Sequence, residues 1–193
     1  LYVFCGQDLL ACVLRPSDRD PASVVTALIK RVVDELRRAW PRVRIVVRGD
    51  SGFCRPRVLR RLERWGLHYV LGLQKNTRLQ QRVQLAELAL ADRFEATGSK
   101  QRMYGEFDYA ADSWDRPRRV IARLEHGEQG VNPRFIVTSL RPAEIDARSI
   151  VIQGTVTGKV LARRQLEVRR IVELDLDRRL LIQLHMKHNQ VML

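Results

Sequence analysis

The chain has 193 residues, and its 35 Lys and Arg against 22 Asp and Glu give a formal net charge of +13. This length suits one domain, or one domain with a modest insertion. No apolar run approaches the roughly 18 residues that a membrane-spanning helix needs, which argues against a membrane role. The three cysteines have neither CxxC nor Cys/His spacing, so the sequence supports no disulfide framework or structural zinc site and fits a reducing cytoplasm.

The positive charge predicts a polyanionic partner, because clustered cations neutralise phosphates and release counterions. Nucleic acid is the natural candidate. A second explanation stays open, since almost all the basic residues are Arg, with Lys only at 30, 75, 100, 159 and 187. The codon usage of a GC-rich genome would give the same composition.

The first half of the chain alternates strands and helices. Residues 1–14 predict a hairpin around Gly6, and from Pro21 apolar residues recur at helical spacing towards Trp40, with Asp20 as the N-cap. Residues 43–47 predict a strand, residues 56–65 a helix, and residues 68–73 another buried strand. The layout is mixed α/β.

The second half of the chain has a different pattern, with one helix followed by several predicted strands. A helix is predicted from Thr77 to about Phe94, and its expected inner positions are Leu79, Val83, Leu85, Leu88 and Leu90. Residues 102–128 predict a small antiparallel β region that turns at 115–117, and residues 134–140 predict a strand. The tail, 149–193, is harder to assign, and its Arg/Leu/Val-rich part from Leu161 to Leu184 predicts a helix.

Asp50 is the sharpest candidate for chemistry. It follows the strand at 43–47 and is flanked by Gly49 and by Gly52 two residues on, and strand ends of α/β sheets are where catalytic groups gather. Small neighbours would let a phosphodiester and a hydrated metal approach the backbone closely. The competing interpretation is a strand-end turn in which Asp50 caps the helix that follows.

Four ordered blocks of sequence resemble insertion-sequence DDE transposases of bacteria. They are Leu1–Gly6 with 15–17, Arg48–Arg55, His68–Leu73 with Asn76, and Asn132–Leu140, and the similarity spans residues 1–148. The resemblance implies a partial ribonuclease-H-like catalytic domain at 1–148, a mixed sheet flanked by helices with a β insertion at 102–128, and a divergent, possibly helical tail at 149–193. In that family three acids hold two divalent cations about 4 Å apart for in-line attack on phosphorus.

Asp50 matches the second of those acids and is the expected catalytic and metal-binding residue, with Mg²⁺ or Mn²⁺ as the cofactor. The chain begins without an initiator Met, and we expect the first Asp to lie upstream of Leu1; Asp8, in the hairpin turn, does not replace it. The third acid, a Glu, has no counterpart in context, although Glu167 and Glu173 lie in the tail. A truncated, inactive remnant is therefore predicted, and a divergent helix that uses Glu167 is the alternative.

The expected partner is DNA, at element ends and target, and a homo-oligomer is possible. Candidate DNA contacts are Arg48, Ser51, Arg55, Lys75 and Asn76, although a capping role suits Asn76 better. Arginines of the helix at 56–65 either bind phosphates or form a solvated face. The expected location is the bacterial cytoplasm, at the nucleoid. Two rival functions remain: a non-catalytic basic DNA-binding module, and a metal-dependent nuclease of the same fold.

Overall fold

The computed structural model describes residues 1–14, 20, 22–150 and 180–185. The chain forms two compact units: the first contains Leu1–Leu71 and Val160–Leu193, and the second contains Gly72–Lys159. Both combine helices with β-structure, which confirms the predicted mixed α/β class. In the part of the chain that the structure describes, no helix is long and apolar enough to span a bilayer.

The elements follow one another closely along the chain. In order they are β1 (Tyr2–Cys5), β2 (Asp8–Cys12), α1 (Ala22–Ala39), β3 (Ile45–Gly49), a 3₁₀ turn (Ser51–Phe53), α2 (Pro56–Arg64), β4 (His68–Leu73), α3 (Thr77–Thr97), β5 (Gln101–Tyr109), β6 (Arg118–Gly127), β7 (Gly130–Val131), β8 (Arg134–Thr138) and β9 (Leu180–His185). The predicted hairpin, helices and strands up to residue 138 are all found, with bounds shifted by at most a few residues.

Local chemistry explains where the helices begin and end. The Asp20 carboxylate accepts a hydrogen bond from the Ala22 amide at 3.0 Å, so Asp20 caps α1 as predicted. Pro56 occupies the first turn of α2, where its missing N–H costs nothing. Helix α3 ends at Gly98, whose φ of 63° is the left-handed conformation that glycine adopts most readily.

The sheet of the first unit has the order β2-β1-β9-β3-β4. Strand β9 pairs antiparallel with β1 and parallel with β3, so a segment from the far end of the chain lies in the middle of this sheet. Ile182 is in register with Cys5 on one side and Val47 on the other, and it is fully buried. The core of this unit therefore joins both ends of the chain.

Strand β9 corrects the prediction for the tail. A helix was expected from Leu161 to Leu184, but residues 180–184 belong to a strand, so that expectation is wrong there. Composition suggested a helix, whereas pairing with β1 and β3 decides the conformation. Residues 161–179, and with them the rest of the predicted helix, lie outside the described residues.

The second unit is built around the β5–β6 hairpin. Its nine cross-strand pairs run from Gln101 with His126 to Tyr109 with Arg118, and β8 pairs with the other edge of β6. Helix α3 packs against β5 and β6 through a face that includes Leu79, Val83 and Leu90. The hairpin confirms the β region predicted at 102–128.

Two of the inner positions predicted for α3 are wrong. Leu85 and Leu88 are 83% and 57% exposed, respectively. At roughly 100° per residue, Leu88 lies about 180° and Leu85 about 240° around the helix from Leu79, so neither can share the packed face. The predicted stripe was wider than one helix face.

Candidate active site

Asp50 lies immediately after β3, at the carboxyl end of a strand inside the first unit's sheet. Its side chain is exposed, and its backbone is extended, with φ −76° and ψ −177°. Strand β3 is buried at Ile45, Val46 and Val47, so the sheet holds the residue that follows it in a fixed place. The sequence predicted this position for the carboxylate.

One carboxylate oxygen of Asp50 is already engaged. Oδ1 accepts a hydrogen bond from the Gly52 amide at 2.8 Å, and Asp50 is thereby the N-cap of the 3₁₀ turn. The capping role expected as the alternative is therefore present, but for this turn rather than for α2. A carboxylate has about four acceptor positions, so the cap orients the group and leaves capacity for a further ligand.

Gly49 is required by packing inside the protein. A Cβ atom placed on it would lie 2.8 Å from Phe53 Cδ2 and 3.3 Å from Leu71 Cδ2, and both side chains are fully buried. The Phe53 ring closes against the end of β3 only because residue 49 has no side chain. This packing fixes the 3₁₀ turn, and with it Asp50, against the sheet.

Three further predicted residues lie beside Asp50 in the chain. Arg48 is half-buried on β3, and burial lowers the pKa of its guanidinium. Ser51 is exposed in the 3₁₀ turn. Arg55 is exposed at the N-cap of α2, and its Nε lies 3.7 Å from Asp20 Oδ2, which is a solvent-screened ion pair. The first unit therefore brings one carboxylate and two cations into one short segment.

The arginines of α2 divide into two groups that the sequence did not distinguish. Arg57 donates to the Ala22 carbonyl at 2.6 Å, and Arg61 donates to Thr26 Oγ1 at 2.8 Å, so both fasten α2 to α1. Arg60 and Arg64 are exposed on the same helix. Polar acceptors on a neighbouring helix are not visible in a local pattern, which is why sequence reasoning missed this division.

Lys75 and Asn76 lie in the second unit. Asn76 caps α3: its Oδ1 accepts from the Leu79 amide at 3.0 Å, which confirms the capping role, and its Nδ2 donates to Tyr109 Oη at 3.1 Å. Lys75 is exposed, and its charge acts on Glu87, whose pKa is nevertheless raised because burial is the larger influence. Both ends of the Asn76 amide are thus used within the protein.

Comparison with known families decides the relationship. The family model described as transposase DDE domain group 1 matches residues 1–155 of the 193. The chain belongs to this transposase DDE domain family. No curated protein matches the chain. The mixed sheet flanked by helices is the ribonuclease-H-like architecture that the resemblance implied.

DDE domains generally use divalent metal ions, which are bound by acidic side chains. Asp50 offers the oxygen donor and the exposure that a divalent cation needs. Among residues 1–14, 20, 22–150 and 180–185, however, no three His, Cys, Asp or Glu side chains come close enough to form a metal cluster. Glu167 and Glu173 lie outside that part of the chain. The described residues therefore offer one candidate ligand and do not make up a complete two-metal site.

Proposed function

We propose that this chain is a remnant of an insertion-sequence transposase, whose complete form cuts DNA at element ends and joins the freed strand to a target. Residues 1–148 would be the partial catalytic domain, with the insertion at 102–128 and the tail at 149–193. The supporting observation is the family match over residues 1–155 together with an exposed, oriented Asp50 at the carboxyl end of β3.

In this proposal Asp50 is the catalytic carboxylate and a ligand for Mg²⁺ or Mn²⁺. Its Oδ1 is oriented by the Gly52 amide, so the carboxylate needs little reorganisation to accept a cation. When bound, the ion would supply Lewis-acid activation of phosphoryl chemistry. Among the described residues Asp50 belongs to no group of three metal-ligating side chains, which is why we propose that this chain alone does not cleave DNA.

We assign the DNA contacts to Arg48, Ser51 and Arg55 near the carboxylate, and to Lys75 and Asn76 in the second unit. Arg55 and Lys75 are the strongest of these, because their side chains are exposed cations. Asn76 is less well suited to a DNA contact, because both ends of its side-chain amide already form hydrogen bonds within the protein. We expect Arg55→Ala and Lys75→Ala each to lower the salt slope of DNA binding by about 1. Arg38→Ala, which removes an exposed arginine paired with Glu35, is the matched control for charge.

Labelled DNA with Mn²⁺ tests the proposal. We expect salt-sensitive binding and no strand cleavage by the chain alone. The informative variants are Asp50→Ala and Asp50→Asn. The Ala variant removes the whole carboxylate, whereas the Asn side chain keeps an oxygen acceptor for the Gly52 N–H and removes only the charge. Cleavage that both variants abolish would reject the proposed inactivity and favour a nuclease. Failure to bind any DNA at moderate salt would reject a DNA function altogether.

A non-catalytic DNA-binding module is the second candidate. It is favoured by the net charge of +13 and by the absence of a metal-ligating cluster among the described residues, since the chemistry needs several carboxylates. The two proposals differ in the effect of Asp50→Asn on DNA affinity with Mn²⁺ present. If Asp50 binds an ion that contacts phosphate, the variant should weaken binding only when Mn²⁺ is added; for a simple basic module, removing the negative charge should strengthen binding with or without the ion.

A further inference from the structure

The outward face of α3 carries two leucines that do not pack inside the second unit. Leu85 and Leu88 are exposed and lie one helical turn apart, on the side of α3 opposite the buried Leu79. Single exposed leucines are common on protein surfaces, but these two belong to a longer pattern. Along this face the helix exposes residues 78, 81, 85, 88, 92 and 95, and we call these six residues the outer stripe.

The outer stripe has the spacing of a helix that pairs with another helix. Its steps alternate between three and four residues, which is the heptad spacing that keeps one seam facing a partner helix. Helix α3 has 21 residues, so it is about 31 Å long and presents this seam over most of its length. The packing of α3 against β5 and β6 leaves all six residues exposed. A second helix can therefore lie along the outer stripe.

Charge is distributed unevenly along the outer stripe. Arg78 lies at its beginning, the two leucines occupy its centre, and Asp92 and Glu95 lie at its end. A complementary helix must present an acid to Arg78, apolar side chains to the leucines, and polar donors to the two acids. The outer stripe itself, reversed end for end, presents these groups in that order.

A second copy of the chain in the antiparallel orientation therefore matches the outer stripe. Two-fold symmetry makes each contact occur twice. The facing pairs are Leu85 with the partner's Leu88, Gln81 with the partner's Asp92, and Arg78 with the partner's Glu95. The glutamine side chain can donate to a carboxylate, so every polar pair is complementary. In the parallel orientation each residue would face its own copy, and the arginine and both acids would meet like charges.

Arg78 already has a partner within its own copy. It donates to the Asp112 carboxylate, and the two side chains are 62% and 84% exposed, so water screens this ion pair. A guanidinium carries five N–H donors, which is enough to bond Asp112 and a second carboxylate together. The contact with Asp112 thus leaves Arg78 able to bind an acid on another chain.

We propose that two copies of this chain associate through their α3 helices, packed antiparallel along the outer stripe with Leu85 and Leu88 of both copies at the centre. The interface is small, so we expect a dissociation constant between about 1 µM and 1 mM. This inference does not depend on the proposed action on DNA, and it would hold for an inactive chain.

Sedimentation equilibrium of the whole chain, freed of nucleic acid, tests the association. The mean mass should rise from 22.4 kDa towards twice that value as the protein concentration increases. Replacing both Leu85 and Leu88 with Gln should raise the dissociation constant by about tenfold or more. Leu14→Gln, which removes an exposed leucine outside α3, is the control and should not change it. A mass of 22.4 kDa up to about 1 mM, or an equal effect of Leu14→Gln, would overturn the proposal.

Charge reversal tests the antiparallel orientation. Arg78→Glu or Glu95→Arg alone places like charges at both symmetry-related contacts and should weaken association by about tenfold. The two changes combined in one chain keep the net charge of +13 and should restore association in an antiparallel pair, but not in a parallel one. Arg93→Glu, exposed on α3 outside the outer stripe, is the matched control and should have little effect.

Far-UV circular dichroism checks that each variant keeps its helices, so that a loss of association reports the interface. If the double variant stays as weak as the single ones, the antiparallel pairing is refuted. An equal loss in Arg93→Glu would assign the effect to overall charge and would also refute it.

Discussion

The two units differ in how far along the chain their partners lie. In the second unit, β5 pairs with β6 and β6 pairs with β8, so these pairs join segments that are neighbours in the chain. In the first unit, β1 and β3 are joined by β9, which is the last described element of the chain. Local pairing makes a unit that can form early and can be recognised from sequence, whereas distant pairing makes one that depends on the end of the chain.

The largest expected effect comes from weakening β9. Ile182→Ala removes a fully buried side chain and should lower the free energy of unfolding of the first unit by about 2–5 kcal/mol. Urea unfolding measures this difference in two backgrounds with a single tryptophan each, one that keeps Trp65 of the first unit and one that keeps Trp114 of the second, with Trp40 replaced by Phe in both. Only the Trp65 transition should move.

Ile121→Ala is the matched change in the second unit, because Ile121 is also fully buried on a central strand. It should move the Trp114 transition and not that of Trp65. If either substitution lowers both transitions equally, the two units unfold as one, and their contrast has no energetic meaning.

The next largest effect concerns the packing beneath Asp50. Gly49→Ala introduces a Cβ at 2.8 Å from Phe53 Cδ2 and should cost about 1–3 kcal/mol through overpacking in the first unit. Gly105→Ala on β5 meets nothing within 4 Å and should be neutral or slightly stabilising. Equal urea midpoints for the two variants would show that the end of β3 has room that the structure does not show.

A smaller effect is expected at the start of α3. Asn76→Ala removes the N-cap acceptor and the bond to Tyr109, and it should cost the second unit about 1 kcal/mol. Asn76→Asp keeps the cap acceptor and should recover most of this loss. The Trp114 urea transition measures both. A loss as large in the Asp variant as in the Ala variant would contradict the capping role.

The smallest effect is a pH dependence in the second unit. Burial alone would raise the pKa of Glu125, but the Arg102 hydrogen bond at 2.7 Å and the charges of Arg123, Arg102 and Lys100 together hold this pKa below its usual value. A depressed folded-state pKa contributes stability that is complete above the unfolded value of about 4.3 and is lost as the pH falls through the folded value.

Glu125→Gln should therefore lower the Trp114 midpoint at neutral pH, by less than about 1 kcal/mol because Arg102 and Lys100 are well exposed. Its curve should converge with that of the unsubstituted protein in acid. Glu128→Gln, on the exposed turn nearby, is the control and should follow the unsubstituted protein throughout. A constant gap at all pH values would contradict an ionic origin.

Much of the fold could be predicted because its signals are local. Gly6 marked the first hairpin, Asp20 marked the start of α1, and the alternation in residues 102–128 marked the β5–β6 hairpin. Strand β9 could not be predicted in this way, since its conformation depends on partners near residues 2–5 and 45–48. Leu85 and Leu88 were misassigned because an apolar residue in a helix need not lie on the packed face.

The candidate site likewise combines features that the local sequence predicts with features that depend on residues distant in the chain. Asp50 was predicted from a buried strand that ends at an acid, which is a local pattern. Gly49 was interpreted as making room for a ligand, but the structure gives it a packing role beneath Phe53. Arg57 and Arg61 could not be distinguished from Arg60 and Arg64, because their acceptors Ala22 and Thr26 lie on another helix.

The claim on which the functional proposal depends is that the Asp50 carboxylate can take up a divalent cation. Paramagnetic Mn²⁺ titrated into the labelled protein measures this directly by NMR, because even weak binding broadens the amide signals near the ion. We expect selective broadening of residues 49–53 that Asp50→Asn abolishes while the fold, including the Gly52 cap, is preserved. No selective broadening in this segment, or equal broadening in the Asn variant, would contradict a metal-binding role for Asp50.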